Sequence, residues 1–119
     1  MKAFSSTKEN HTIFLPSREG LRAYAINKIV KIQSISNYSK LSFADGTTLI
    51  VAKVLQHFDS LLNPHQFIRI HRTHLINIRY IANVNLQAGA KVHLQNGEVI
   101  DISKRERPQV LKVSSGQII

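Results

Sequence analysis

The segment that most constrains the fold is residues 67–81, FIRIHRTHLINIRYI, in which two apolar stretches flank a polar cluster. The first stretch alternates apolar and polar side chains, with one doubled apolar position. This spacing is typical of a half-buried β-strand. The polar cluster is His71-Arg72-Thr73-His74. We expect an exposed turn here, shaped by His71 and Asn77 and held between strands whose core anchors are Phe67, Ile70, Leu75, Ile78 and Ile81.

Short apolar stretches separated by turn residues continue on both sides of this segment. Asp45-Gly46 and Asn96-Gly97 are the clearest hairpin signals, because such pairs favour the backbone of two-residue turns. In the last hairpin, Val99, Ile100 and Ile102 are expected to point inward. The pattern predicts strands at about residues 12–15 (stopped by Pro16), 21–25, 29–35, 41–44, 47–51, 81–86, 91–94 and 98–102, in addition to the two apolar stretches of residues 67–81.

Two segments show helical features. Residues 52–62 carry the apolar side chains Val54, Leu55, Phe58, Leu61 and Leu62 on one helical face, and Asn63-Pro64 follows as a stop signal. This helix is the expected lid over a β core. A short C-terminal helix is predicted after Ser103, which forms a capping box with Glu106, with Leu111 and Val113 as its anchors. Pro108 suggests that this helix begins late.

The sequence therefore predicts a mainly β fold with one clear α-helix at about residues 52–62 and a short C-terminal helix. At 119 residues it is expected to be one domain. We expect a flexible N-terminal arm at residues 1–11, a folded domain at 12–114 and a tail at 115–119.

The balance of charges indicates the class of partner. Sixteen Lys and Arg against seven Asp and Glu give a net charge of +9, which favours polyanions. DNA, RNA and anionic membrane all remain open on charge alone. The chain has no cysteine, and it has neither a membrane-spanning run nor a signal peptide pattern. We therefore expect a cytoplasmic protein.

Metal binding and catalysis are weakly supported. His71 and His74 form an H-x-x-H pair, but cysteine is absent and no carboxylate lies near them in sequence. The acidic residues are dispersed, and neither a nucleophile motif nor a glycine-rich phosphate loop is present. The expectation is a protein that is not an enzyme and that has no metal and no cofactor.

Basic residues cluster instead in three places where a strand is expected to end. Each cluster combines cations with short hydrogen-bonding side chains, which is the combination that contacts phosphates and base edges. The clusters are residues 36–40, residues 71–73, and residues 103–107.

Residues 67–81 closely resemble the hallmark of the LytTR-type DNA-binding domain, a phrase of the form F-x-R-x-H-R-S-x-x-V-N-x-x-x-I. An I-x-x-I-x-S-x-x-N-Y pattern that ends at Tyr38, an apolar helix ending at Leu61-Leu62, and Ser103-Lys104-Arg105 after a closing hairpin agree with this family. Thr73 and Ile76 stand where Ser and Val are frequent. Thr73 keeps the hydroxyl group, and Ile76 keeps a β-branched apolar side chain. The resemblance covers roughly residues 13–113.

The resemblance implies an elongated β fold that binds double-stranded DNA for a bacterial transcriptional regulator, inserting loops into successive major grooves. On the matching positions, base contacts would come from Ser39 or its neighbours in the first loop, from Arg72 and from Arg105. Phosphate contacts would come from Asn37, Tyr38, Lys40, Thr73 and Lys104. Such domains usually follow a receiver domain or a membrane segment. Neither fits in this chain, so the resemblance implies a stand-alone regulator or an excised effector domain, with a second copy as a further partner on repeated half-sites.

Two alternatives remain open at this point. A β-rich binder of single-stranded nucleic acid would need exposed aromatic side chains for base stacking, and the chain has only eight aromatic residues. A protein-interaction or ligand-sensing module could be basic for solubility alone. Duplex binding that weakens steeply with salt would distinguish a nucleic-acid binder from such a module.

Overall fold

The computed structural model describes residues 11–62, 66–87 and 89–115, with side chains described as far as residue 112. The elements in these ranges are β1 (Thr12–Ser17), β2 (Gly20–Ala25), β3 (Ile29–Ile35), β4 (Tyr38–Phe43), β5 (Thr48–Val51), α1 (Leu55–Leu62), β6 (Phe67–His71), β7 (His74–Asn77), β8 (Ile81–Asn85), β9 (Lys91–Leu94), β10 (Val99–Asp101) and α2 (Arg107–Ser115). Short 3-10 turns at Ile26–Lys28 and Ile78–Tyr80 lead into β3 and β8.

The strands form three antiparallel sheets. The central sheet has five strands in the order β5-β4-β3-β7-β6, and it is accompanied by the β1-β2 hairpin and by a sheet of order β10-β9-β8. The molecule measures 47 × 35 × 24 Å. The prediction of an elongated, mainly β fold with two helices is confirmed.

The central sheet has buried side chains on both faces, because successive side chains of a strand point to opposite faces and a separate core cluster packs on each. On one face, Ile32 and Leu75 pack with Phe58 of α1 and with the β1-β2 hairpin. On the other face, Ile70 and Ile76 pack with residues of the three-stranded sheet and of α2. This arrangement explains why neighbouring positions such as Ile29-Val30 and Leu75-Ile76 are both apolar, where a half-exposed sheet would alternate strictly.

The predicted lid helix is present but shorter than expected, because α1 begins at Leu55. Its buried side chains are Leu55, Phe58 and Leu62, which are 3%, 1% and 0% exposed. Val54 precedes the helix, and both Val54 and Leu61 are exposed, so their assignment to the apolar face was wrong. The lid therefore rests on three side chains at a spacing of three and four residues.

The second helix begins at Arg107, after a turn that Ser103 closes. The Ser103 hydroxyl accepts a hydrogen bond from the Glu106 N–H at 3.3 Å, and the Ser103 carbonyl accepts one from the Arg107 N–H at 3.1 Å. Pro108 stands second in the helix, where no N–H donor is needed. Val110 is the buried anchor and Leu111 is exposed, so the predicted anchoring by Leu111 was wrong.

Other details of the strand predictions change as well. Val99 is half exposed, whereas Ile100 and Ile102 are buried as predicted. Pro16 does not stop β1 but pairs opposite Leu21 within the hairpin. Phe67, Ile70 and Leu75 are buried, and Ile78 and Ile81 are partly buried against the second core. Four predicted features lie outside the described residues: the N-terminal arm apart from His11, the Asn63-Pro64 stop signal, the Val113 side chain and the tail after Ser115.

No helix in the described ranges is both long and apolar enough to cross a membrane.

Candidate nucleic-acid interface

The first two basic clusters meet at one end of the central sheet. Strands β3 and β7 are antiparallel neighbours, and the end of β3 lies beside the start of β7, with Gln33 opposite His74. The Ser34 N–H also donates to the Thr73 carbonyl at 2.9 Å. The β3-β4 turn at Ser36-Asn37 and the β6-β7 turn at Arg72-Thr73 are therefore adjacent.

The third cluster joins them at the same end. The Ser103 N–H donates to the Ile70 carbonyl at 2.9 Å, which holds residues 103–106 against the last residues of β6. The strand order places the Arg72-Thr73 turn between the other two segments. We call this row of three segments, Ser36-Asn37, Arg72-Thr73 and residues 103–106, the interface end.

The central turn of the row has an unusual backbone for its length. His71 pairs with His74, so Arg72 and Thr73 form a two-residue hairpin loop. Loops of this length prefer positive φ angles, but among the described non-glycine residues only Ser36 and Gln66 have positive φ. An irregularity in register between Arg69 and His71 precedes the loop. The loop therefore depends on side-chain support to keep its shape.

One source of support is a chain of hydrogen bonds through Thr73. The His71 Nδ1 atom accepts from the Thr73 N–H at 3.3 Å, so it carries no proton. The Thr73 hydroxyl lies 2.9 Å from Nδ1 of both His71 and His74. The hydroxyl must then donate to His71 and accept from a protonated Nδ1 of His74, because it has one hydrogen to give. The expected turn-shaping role of His71 is confirmed.

The other source of support is Arg69, which sequence reasoning did not single out. Its Nε donates to the His71 carbonyl at 2.9 Å, and its Nη2 donates to the Arg72 carbonyl at 2.8 Å. Its Nη1 donates to Asp59 Oδ2 at 3.0 Å. The hydrogen bonds of Thr73 and of Arg69 together support the turn. The signal for Arg69 was its place two residues before the polar cluster, on a strand otherwise composed of apolar side chains and His71.

Burial controls the charge of His74. The pKa of His74 is lowered from 6.5 to about 4, mainly because burial disfavours the imidazolium form. The positive charge of Lys31 and the electrostatic influence of His71 act in the same direction, whereas Glu98 opposes them. His74 is thus neutral at physiological pH, and the hydrogen-bond chain favours the tautomer with its one ring proton on Nδ1.

This pKa predicts a pH dependence of stability. The unfolded chain protonates His74 near pH 6.5 and the folded chain only near pH 4, so the free energy of unfolding falls as pH drops through this window. We expect His74→Gln to lose less stability than the wild type between pH 7 and pH 5. The difference should be about 1 kcal/mol, half of the full linkage value, because partial exposure screens the charge. Urea unfolding at both pH values measures it, and equal losses in the two proteins would refute it.

The same histidines line a cleft of about 310 Å³ under the turn. Its lining includes Lys31, Thr73, Glu98 and Asp101. Lys31 forms an ion pair with Glu98, and the pKa of Glu98 is lowered despite its partial burial because it accepts hydrogen bonds from Lys31 and Asn96. Across the described residues, no group of three or more His, Asp or Glu side chains is placed to hold a metal ion.

The structure changes the assignment of Ser39. Its side chain is 0% exposed, and its hydroxyl donates to the Lys53 carbonyl at 2.6 Å. Ser39 lies in β4 and not in the loop, since the β3-β4 connection is only Ser36-Asn37. A fully buried hydroxyl that is already bonded does not reach a base, so the base-contacting role expected for Ser39 was wrong. Its place is to fix the segment after β5 to the sheet.

The remaining predicted contacts lie at or beside the interface end. Asn37, Arg72, Lys104 and Arg105 are exposed in the three segments, and Tyr38 is half exposed at the start of β4. Lys40 is partly buried on β4 opposite Gln33. Arg107 is turned inward, with Nη2 donating to the Gln87 carbonyl at 3.3 Å. The structure thus brings two exposed arginines and two predicted lysines together.

The charges in this row are available for a partner. The ion pairs in residues 11–62, 66–87 and 89–112 are Lys31–Glu98, Arg69–Asp59 and Lys91–Asp101. None of them uses Arg72, Lys104 or Arg105. Within those ranges the basic side chains of the interface end therefore remain unneutralised by carboxylates, which favours an anionic ligand.

A scan against family models matches residues 19–114 to the LytTr DNA-binding domain. The chain belongs to the LytTR DNA-binding domain family. LytTR domains are DNA-binding modules, so membership of the family identifies DNA as the partner. The match spans the five-stranded sheet, the three-stranded sheet and all three segments of the interface end.

Comparison with solved structures supports the fold of this LytTR domain. The LytTr DNA-binding domain of a Bacillus cereus protein, described as a methyl-accepting/DNA response regulator, superposes with a TM-score of 0.71. The sequences are 20% identical, and the alignment covers 85% of this chain and 94% of the other. The comparison with curated proteins found no match.

Proposed function

We propose that this LytTR domain recognises specific sequences in double-stranded DNA as the DNA-binding part of a bacterial transcriptional regulator. The observation that carries the proposal is the interface end. Three short segments, two of which carry exposed cations, stand in one row at the end of a sheet that has buried side chains on both faces. Such a rigid base positions loops for recognition without exposing the core.

Arg72 and Arg105 are the proposed base readers. Both are exposed at the interface end and take part in none of the three ion pairs of the described ranges. An arginine fork donates two hydrogen bonds to the O6 and N7 atoms of guanine. This pairing distinguishes guanine from the other bases. Each such contact contributes about 1 to 3 kcal/mol of discrimination.

Phosphate contacts are proposed for Asn37, Tyr38, Lys40 and Lys104, which surround the two readers. Thr73 is different, since its N–H, carbonyl and hydroxyl are all engaged within the protein. We therefore assign Thr73 to support of the turn. Phosphate contacts fix the register of a protein on DNA, and base contacts then read the sequence.

The longest dimension of the domain can be compared with one helical turn of DNA. Its long axis of 47 Å exceeds the helical repeat of B-DNA, which is about 34 Å. We propose that segments of the interface end enter neighbouring major grooves of one face of the duplex. A second copy on a repeated half-site and a receiver or sensor domain in the same regulator are the further proposed partners.

Selection of bound duplexes from a random pool, followed by titration, tests this function. The selected duplex should bind at least about 1,000-fold more tightly than a scrambled duplex, as specific sites do. With Lys40 and Lys104 on phosphates, log affinity should fall against log salt with a slope of about −1.8 or steeper. A pool that yields no preferred sequence would refute the proposal, and tighter binding to the single strand would favour a single-stranded binder instead.

A further inference from the structure

We infer that Arg69, oriented by Asp59, is the positioning residue that holds the Arg72 turn in its DNA-binding shape, an inference that rests on the proposed function. Arg69 itself is partly buried, with its side chain only 16% exposed. Its role is therefore distinct from that of Arg72, whose side chain is exposed.

The geometry of the guanidinium carries the inference. Its Nε and Nη2 atoms donate to the carbonyls of His71 and Arg72, which are consecutive residues of the turn. A planar fork fixes two such acceptors relative to each other, whereas the rotatable ammonium of lysine holds a single point. The loop needs this constraint, because its backbone lacks the positive φ angles usual for its length.

Asp59 fixes the fork in turn. Its carboxylate accepts from Nη1 at 3.0 Å, and the Asp59 side chain is 21% exposed. Asp59 lies on α1, whose Phe58 and Leu62 are embedded in the first core. Arg69 thus ties the turn to a packed helix. Nε, Nη1 and Nη2 each donate one hydrogen bond inside the protein, and the side chain is only 16% exposed, so little of its donor set is left for DNA.

Arg69 also connects the turn to the third segment of the interface end. Its backbone carbonyl accepts from Gln109 Nε2 of α2 at 3.0 Å. The next carbonyl along the strand, that of Ile70, accepts from the Ser103 N–H. A shift of residue 69 would therefore disturb both the Arg72 turn and the support of Arg105.

Arg69→Lys tests the inference, because it keeps the charge and removes the fork. We expect affinity for the selected duplex to fall about tenfold, since a hydrogen bond to a charged group is worth about that factor. Binding to the scrambled duplex and the salt slope should change little. Asp59→Asn should act in the same direction and more weakly. Arg18→Lys, at the exposed tip of the β1-β2 hairpin, is the matched control.

A double-mutant cycle separates positioning from direct contact. If Arg69 acts through the turn, Arg72→Ala should reduce affinity for the selected duplex much less in the Arg69→Lys background than in the wild type. The reason is that both substitutions remove the same contact between Arg72 and DNA. Additive losses, or an equal fall for both duplexes, would overturn the inference. An equal fall would mean either direct phosphate contact or general loss of folded protein, and thermal unfolding distinguishes these two.

A measurement without DNA keeps this test independent of the proposed function. Amide exchange of Thr73 should be about tenfold faster in Arg69→Lys, while exchange of Leu75 and Ile76 stays unchanged, because opening is confined to the turn. Unchanged exchange at Thr73 would overturn the positioning role. If the wild type prefers no duplex yet exchange at Thr73 rises, the proposed function fails while the support of the turn by Arg69 stands.

Discussion

Replacing Arg72 and Arg105 together by alanine is expected to abolish the preference for the selected duplex. Two guanine contacts contribute together about 2 to 6 kcal/mol of discrimination if they are independent, which corresponds to roughly 30-fold to 10⁴-fold. Each single variant should lose part of this preference at its own base pair. Gel-shift titration of the selected duplex and of duplexes changed at single positions measures both effects.

Matched variants define what the arginine result means. Lys104→Ala lies in the same segment as Arg105 and should weaken binding to all duplexes alike, with a salt slope closer to zero by about one, as expected for a phosphate contact. Arg18→Ala removes the same charge at the hairpin tip and should change discrimination by less than twofold. If the double variant still distinguishes the selected duplex as the wild type does, Arg72 and Arg105 are not the readers.

Asn77→Ala is expected to produce a large loss of stability for a single polar substitution. The Asn77 side chain is 3% exposed, its Nδ2 donates to the Ile29 carbonyl at 2.9 Å, and its Oδ1 accepts from the Arg79 N–H at 3.0 Å. Alanine leaves both backbone groups without these partners, at a cost of about 2 to 4 kcal/mol. Urea unfolding and a fall of about 10 °C in Tm would register it.

The exposed Asn83 on β8 provides the control for this stability prediction. Asn83→Ala should change the free energy of unfolding by no more than about 0.5 kcal/mol, as surface substitutions usually do. A similarly small effect of Asn77→Ala would show that water replaces the two lost hydrogen bonds. The Ile29 carbonyl and the Arg79 N–H would then not be left unsatisfied in the variant.

Much of this fold follows from local patterns in the sequence. The Asp45-Gly46 and Asn96-Gly97 turns and the alternation around Phe67 predict the hairpins, and the spacing of Leu55, Phe58 and Leu62 predicts α1. Errors arise where exposure depends on distant elements. Val99, Leu111 and Leu61 have apolar side chains at plausible positions, yet whether each is covered depends on which sheet or helix packs there. Periodicity carries no information about that.

The candidate site shows the same limit. The exposed positions of Arg72 and Arg105 follow from polar residues placed where strands end. Asn77 was expected to shape the turn at residues 71–74, but its side chain bonds the Arg79 N–H and the Ile29 carbonyl instead, and the bond to Ile29 spans 48 residues. Ser39 was misplaced because the β3-β4 turn contains only two residues, so the polar stretch continues into a buried strand position. Arg69 was overlooked because its partners, Asp59 and two carbonyls, are set by tertiary packing.

The shortness of the turns at the interface end limits how such a domain diversifies its DNA target. Ser36-Asn37 and Arg72-Thr73 are two-residue loops between strands whose faces are both buried. Inserting one residue into a flanking strand would exchange the two faces and move side chains from one core cluster to the other. Binding preference in this lineage should therefore change by replacement of side chains on loops of constant length. Length variation is expected instead at Ser17–Gly20, the exposed tip of the β1-β2 hairpin.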